Sequence, residues 1–197
     1  MLGFGDESDG VSSRKAAERP FFKPVSLDPR LARLAVNLAS GPVGKGATID
    51  VMTGTGGFLI EAALSNRIAV GLDLDPMMVE GTIENLEWAL NAEGKTEHSA
   101  MVLTGDATKL TEALGELGAP ICGFVLDPPY GRNSQGSIEP MALLESVHAS
   151  AQEVANTDAG LVLILPIHPM GEHPDEPIPS RADINLLHGD WQEIEHA

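Results

Sequence analysis

Short apolar runs at residues 47–52, 68–74, 100–103, 123–126 and 161–165 alternate with longer amphipathic runs at residues 58–64, 77–90, 110–117 and 141–154. This rhythm restricts the fold more than any other property of the chain. A brief, uniformly apolar run reads as a strand buried on both faces, and a run with apolar residues three and four apart reads as a helix. Strand and helix taken in turn predict an α/β fold: a mostly parallel, doubly wound sheet with helices on both faces. A chain of 197 residues has room for one such domain.

The flanks are read in the same way. Residues 1–18 are polar and aperiodic, a flexible tail or linker remnant, which leaves residues 19–197 as one domain. Asp28-Pro29 offers a cap and a proline at the first helical position, Leu31, Leu34, Ala35 and Leu38 follow at helical spacing, and Gly41-Pro42 ends the run. At the other end, residues 166–179 read as a loop, residues 180–188 as a helix closed by Gly189, and residues 191–194 as a short strand. No apolar run reaches the length of a membrane span, and the first residues lack the basic leader and apolar centre of a secretion signal. The single cysteine, Cys122, has no partner for an internal disulfide, which fits a reducing cytoplasm.

Charge is distributed unevenly. Arg14, Lys15, Arg19, Lys23, Arg30 and Arg33 face only Glu18 and Asp28 in the same stretch, a local balance of +4 within a chain of net charge −17. Such a stretch is expected to face the phosphates of a nucleic acid, with Arg30 and Arg33 as contacts; an acidic surface that keeps the chain soluble is the plainer account of the remainder. His168, Glu172, His173 and Asp175 sit in a proline-broken segment without ligand spacing, so no metal is expected there. Met77 and Met78 read as core fillers at a helix start.

The residues that carry chemistry stand where strands end. The first strand runs into Asp50-Val51-Met52-Thr53-Gly54-Thr55-Gly56-Gly57, where glycines allow a tight turn and a close backbone approach before a helix N-terminus. The spacing differs from that of a dinucleotide fingerprint. The second strand delivers Asp73, whose two oxygens suit both hydroxyls of a ribose, while Asp75 before Pro76 reads as a helix cap. Asp106-Ala107 follows the third strand, with Asp106 either an acceptor for an adenine amino group or another cap. The fourth strand delivers Asp127-Pro128-Pro129-Tyr130. Two prolines stiffen the segment, the Asp127 carboxylate and Pro128 carbonyl are fixed acceptors, and Tyr130 adds a stacking face, a set suited to a planar base bearing an amino group. Arg132 and Asn133, just beyond, are candidate substrate contacts.

In order along the chain, these strings resemble the motifs of class I S-adenosylmethionine-dependent amino-methyltransferases, a family with a Rossmann-like sheet. More narrowly, Arg19-Pro20-Phe21-Phe22, Leu27-Asp28-Pro29-Arg30-Leu31-Ala32-Arg33, DVMTGTGGFLIEA, GLDLDPMMVEGTIENL and DPPYGRNSQGS resemble the archaeal tRNA guanosine N2-methyltransferases acting at position 10, over residues 19–165. The resemblance implies S-adenosylmethionine held by Asp50, Gly54, Gly56, Asp73, Asp106 and Ala107, with the segment near Ser26 closing over its methionine part. It implies methyl transfer to guanine N2 in tRNA at Asp127, Pro128, Pro129 and Tyr130. Members carry an N-terminal THUMP module for RNA, none of which is legible before residue 19, so an RNA-binding module in trans or a small zinc-binding activator subunit is an implied partner. The sheet is expected to lack the family's last strand. Two other functions remain open: a DNA adenine-N6 or ribosomal-RNA amino-methyltransferase, and a non-catalytic donor-binding or scaffold domain.

Overall fold

Among the described residues the expected alternation appears as a parallel sheet of five strands in the order β3-β2-β1-β4-β5. The strands are β1 (Ala47–Asp50), β2 (Ile68–Asp73), β3 (Ala100–Thr104), β4 (Ile121–Leu126) and β5 (Gly160–Leu163). The helices are α1 (Pro29–Ser40), α2 (Gly57–Leu64), α3 (Pro76–Ala92), α4 (Leu110–Leu114) and α5 (Pro140–Val154). This computed structural model describes residues 10–24, 27–42, 46–128 and 140–165. The loop, helix and strand expected within residues 166–197 lie outside the described residues.

Two apolar clusters sandwich the sheet. One unites Val36, Leu59, Ile60 and Leu86 from α1, α2 and α3 with Val125; the other unites Leu110, Leu114, Leu144 and Val147 from α4 and α5 with Ile49, Leu72 and Phe124. Alternate residues of one strand thus feed opposite layers, as a doubly covered parallel sheet requires. Helix starts follow their local chemistry. Asp28 accepts from the Arg30 N–H and Asp75 from the Met77 N–H, each one residue before a proline. Helix α4 stops at Leu114, earlier than its apolar pattern suggests, because Gly115 takes a positive φ of 52°.

On α1, Leu31, Leu34 and Leu38 are about half exposed, while Ala32, Ala35, Val36 and Ala39 are buried. The cause lies beneath the helix. A Cβ on Gly123 of β4 would stand 2.5 Å from Ser40 Oγ and 2.7 Å from the Ala39 carbonyl, so α1 rides too close to the sheet for leucines and turns its small face inward. Met77 is exposed rather than a core filler. Part of the expected tail is also built in, since residues 12–14 and 16–18 form single 3-10 turns and Arg14 is buried; residues 1–9 lie outside the described residues.

Replacing Gly123 with alanine is expected to lift α1 and destabilise the domain by about 1–3 kcal/mol. Urea denaturation checks this, and an unchanged midpoint would contradict the close approach.

Candidate active site

Parallel pairing brings the strand tips together. Asp50 pairs in register with Gly71 of β2 on one side and Val125 of β4 on the other. Asp73 pairs with Thr104, and the Gly105 N–H donates to the Asp73 carbonyl at 2.9 Å. Chain order reverses between β1 and β4, and open α/β sheets bind ligands in the crevice beyond the carboxyl ends at such a point. Asp50, Asp73 and Asp127 converge there closely enough that both other carboxylates act electrostatically on Asp50.

The turn at residues 53–57 is held from three sides. The Gly54 N–H donates to Asp73 Oδ2 at 2.9 Å, the Thr82 hydroxyl to the Gly54 carbonyl at 2.8 Å, and the Asn85 amide to the Thr55 carbonyl at 2.9 Å. Gly56 takes φ 81°, and a Cβ there would stand 2.8 Å from Thr82 Cγ2, so glycine is required on both backbone and packing grounds. Thr82 and Asn85 are fully buried on α3. They escaped the sequence reading, although two polar residues on the inner face of an amphipathic helix were a signal for them.

Asp50 is buried, and burial is the main cause that pushes its carboxyl up to about 7. Hydrogen bonds from Thr53 and the Leu59 backbone oppose the shift, and the charges of Asp73 and Asp127 add to it. Its Oδ2 accepts from Thr53 Oγ1 at 2.9 Å, while Oδ1 has no hydrogen-bond partner among the described residues. A buried oxygen left so is costly unless a ligand donor meets it. Burial likewise raises Asp127. Asp106 behaves differently: its Oδ1 caps the turn at residues 107–109 through the Thr108 N–H and hydroxyl, and that bonding holds its carboxyl below the usual range. The cap role is therefore real, yet Asp106 also lines an open cleft of about 310 Å³ with Thr104, Gly105, Lys109, Glu112 and Ala113. Ala107 is buried beside it. Asp75 caps α3, as expected.

The basic stretch has been given other work. Glu61, fully buried on α2, accepts from Arg14 Nε at 2.8 Å and from Arg33 Nη2 at 2.7 Å. Arg14 and Arg19 are 5% and 4% exposed, which corrects the expectation that the whole stretch faces a nucleic acid. Arg33 is committed to Glu61, whereas Arg30 is exposed at the first turn of α1. Pro128 is buried at the tip of β4. Ser26, Pro129, Tyr130, Arg132 and Asn133 lie outside the described residues.

Residues 16–173 match the family model described as RMKL-like, methyltransferase domain. The chain belongs to this family. It is 40% identical over 121 residues to the tRNA (guanine(10)-N2)-dimethyltransferase of Pyrococcus abyssi, covering 61% of this chain and 33% of that one. It is 39% identical over 141 residues to the enzyme of the same name from Methanothermobacter thermautotrophicus, covering 69% and 38%. The chain thus spans little more than a third of the length of these relatives. Among solved structures, the rRNA methyltransferase aviRa from Streptomyces viridochromogenes superposes with a TM-score of 0.57 at 18% identity, over 85% of this chain and 87% of that one. A SAM-dependent methyltransferase from Agrobacterium tumefaciens gives 0.52 at 18% identity over 73% and 47%. At such identities the likeness speaks for the fold: this is the class I methyltransferase sheet.

Because folded Asp50 keeps its proton up to about pH 7 while an unfolded aspartate loses it near 3.8, the native state binds the extra proton between those values and stability falls as pH rises through that window. Asp50→Asn removes this loss. Its stability relative to the unsubstituted chain should grow by up to about 1.4 kcal/mol per pH unit and level off above neutrality. Urea midpoints from pH 4.5 to 8 test this, and parallel profiles would refute it.

Proposed function

We propose that the domain transfers a methyl group from S-adenosylmethionine to the exocyclic N2 amine of a guanosine in tRNA. The observation that carries the reading is the convergence of Asp50, Asp73 and Asp127 on adjacent strand tips, with the braced turn at residues 53–57 between them. The residues fit the donor. The orphaned, buried Asp50 oxygen suits an ammonium N–H, Asp73 suits ribose hydroxyls, and the cleft over Gly105 and Asp106, with Ala107 buried beside it, suits an adenine. S-adenosylmethionine, when bound, supplies a methyl on a positively charged sulfur. The chain then has mainly to orient an amine beside that methyl and to stabilise charge.

Asp127 is the acceptor for the target amine in this reading, with the Pro128 carbonyl beside it. A half-buried carboxylate on a rigid strand exit can hold both amine hydrogens with its neighbour, leaving the nitrogen lone pair free to point toward the donor. Pro129 and Tyr130 complete this surface in the proposal, and Arg132, Asn133 and Arg30 remain candidate RNA contacts. Support for tRNA comes from the names of the relatives, both dimethyltransferases of guanine 10. The catalytic domain in this reading covers residues 19–197, with residues 10–18 as its strap. An RNA-binding module in trans or a zinc-binding activator subunit, and a cytoplasmic setting, belong to the same proposal. No helix among the described residues is long and apolar enough to cross a membrane.

Labelled donor incubated with tRNA, ribosomal RNA or DNA, followed by nucleoside analysis, tests the reading; label in N2-methylated guanosine from tRNA is the expected result, and label only in DNA or ribosomal RNA would replace it. Asp127→Ala should reduce turnover by about 100-fold or more, and Asp127→Asn by less. Full activity in Asp127→Ala would remove Asp127 from the site.

A further inference from the structure

Three arginines and one buried carboxylate meet behind the turn at residues 53–57, and their pairing leaves a remainder. Glu61 is saturated. Its Oε1 accepts from Arg14 Nε, and its Oε2 accepts from Arg14 Nη2 at 3.3 Å and from Arg33 Nε and Nη2 at 2.8 and 2.7 Å. Arg14 also reaches Glu93 at 2.9 Å, near the end of α3. Arg19 receives no carboxylate. Its Nε donates to the Arg14 carbonyl at 3.1 Å and its Nη1 makes a long 3.4 Å contact with Thr55 Oγ1. Its Nη2 is buried with no hydrogen-bond partner among the described residues. Burial is the main cause that lowers the proton affinity of this guanidinium, the nearby charge of Glu61 opposes the shift, and the charge of Arg14 adds to it to a smaller degree. A buried guanidinium that feels Glu61 only at a distance, hydrogen-bonds to neutral oxygens and keeps one donor idle among the described residues is an expensive arrangement for packing to retain.

Its position gives it a use. The guanidinium lies against the N-terminal turn of α2: a Cβ on Gly57 would stand 3.7 Å from Arg19 Nη1 and 4.0 Å from Nη2. That end of α2 carries backbone N–H groups without intrahelical partners and the positive pole of the helix. Arg19 is fixed there from outside the helix. Phe21, two residues on, exchanges hydrogen bonds with the Asn85 side chain at 2.9 and 2.8 Å, and the same amide holds the Thr55 carbonyl. Its ring packs directly on Gly81. The result is a cation with an idle donor set against a helix N-terminus beside the turn.

We propose that Arg19, with the N-terminal turn of α2, is the receptor for a small carboxylate, the α-carboxylate of the methyl donor. This rests on the donor reading above. A carboxylate here replaces the long Thr55 contact and satisfies Nη2 with a charge-assisted bond. It also gives the site a polarity: Asp50 faces the ammonium of the donor, and the buried cation behind the turn faces its only anionic part. A nucleic-acid phosphate is the other anion in prospect, but an arginine only 4% exposed is out of reach of a polymer backbone.

Titration calorimetry of the full chain with S-adenosylmethionine and with its decarboxylated analogue, which differs only in lacking the carboxylate, separates the possibilities. The analogue carries one more net positive charge, so the aspartates alone would favour it. The unsubstituted chain is expected to bind the complete donor about 10- to 100-fold more tightly. In Arg19→Gln that preference should vanish while analogue affinity stays within about threefold; Arg19→Lys should keep part of the preference, and it serves as the decisive variant if Arg19→Gln fails to fold. Equal binding of both ligands by the unsubstituted chain overturns the Arg19 assignment and leaves the donor reading standing. Binding of neither overturns both. A preference that survives in the folded variants, or a loss confined to tRNA affinity measured in parallel by filter binding, also overturns it.

Discussion

The register between β1 and β4 sets the position of everything chemical in this domain. Because Asp50 pairs with Val125, Asp127 emerges two residues further along the neighbouring strand, beside the turn that begins at Val51. Parallel strands slipped by one residue would send each side chain to the opposite face. Here that slip would remove Phe124 from one apolar layer and Val125 from the other, so core packing and site geometry are enforced by the same contacts. The buried acid on β1 is tolerated on these terms, its charge being suppressed by the surroundings that also hold its neighbours close.

The electrostatic design is divided by the turn at residues 53–57. On the strand-tip side lie carboxylates, two of them with raised proton affinity. On the other side lies a knot of arginines around Glu61. A chain of net charge −17 thus keeps part of its small supply of cations inside, tying the N-terminal arm to α1 and α2. Buried ion pairs contribute little net stability against apolar substitutes, but they penalise alternative arrangements strongly once one partner is lost. Specifying how the arm lies across the helices suits that property.

Much of this was legible in the sequence, and the remainder follows a pattern. Strand and helix positions were readable because buried parallel strands are uniformly apolar and their connecting helices are periodic, and the acids at 50, 73, 106 and 127 were readable because each ends such a run. Partners were not readable. Nothing local in Arg14 or Arg19 reveals that α2 offers a buried glutamate 47 residues away from the former. The buried face of α1 was not readable for a related reason: the space over Gly123 admits only small groups, and that space exists only once the sheet is formed. Thr82 and Asn85 were visible as polar residues among apolar ones, yet their task belongs to a loop about thirty residues earlier.

One side-chain amide, that of Asn85, touches both the backbone of the arm at Phe21 and the carbonyl of Thr55. The arm and the loop are therefore tied to each other through one buried side chain. For anyone cutting this domain from a longer gene, the functional boundary lies upstream of the first strand by some thirty residues. A fragment starting after Phe21 would retain the entire sheet and every acid at its tips, while the Asn85 amide that braces the turn had lost its own anchor on the arm.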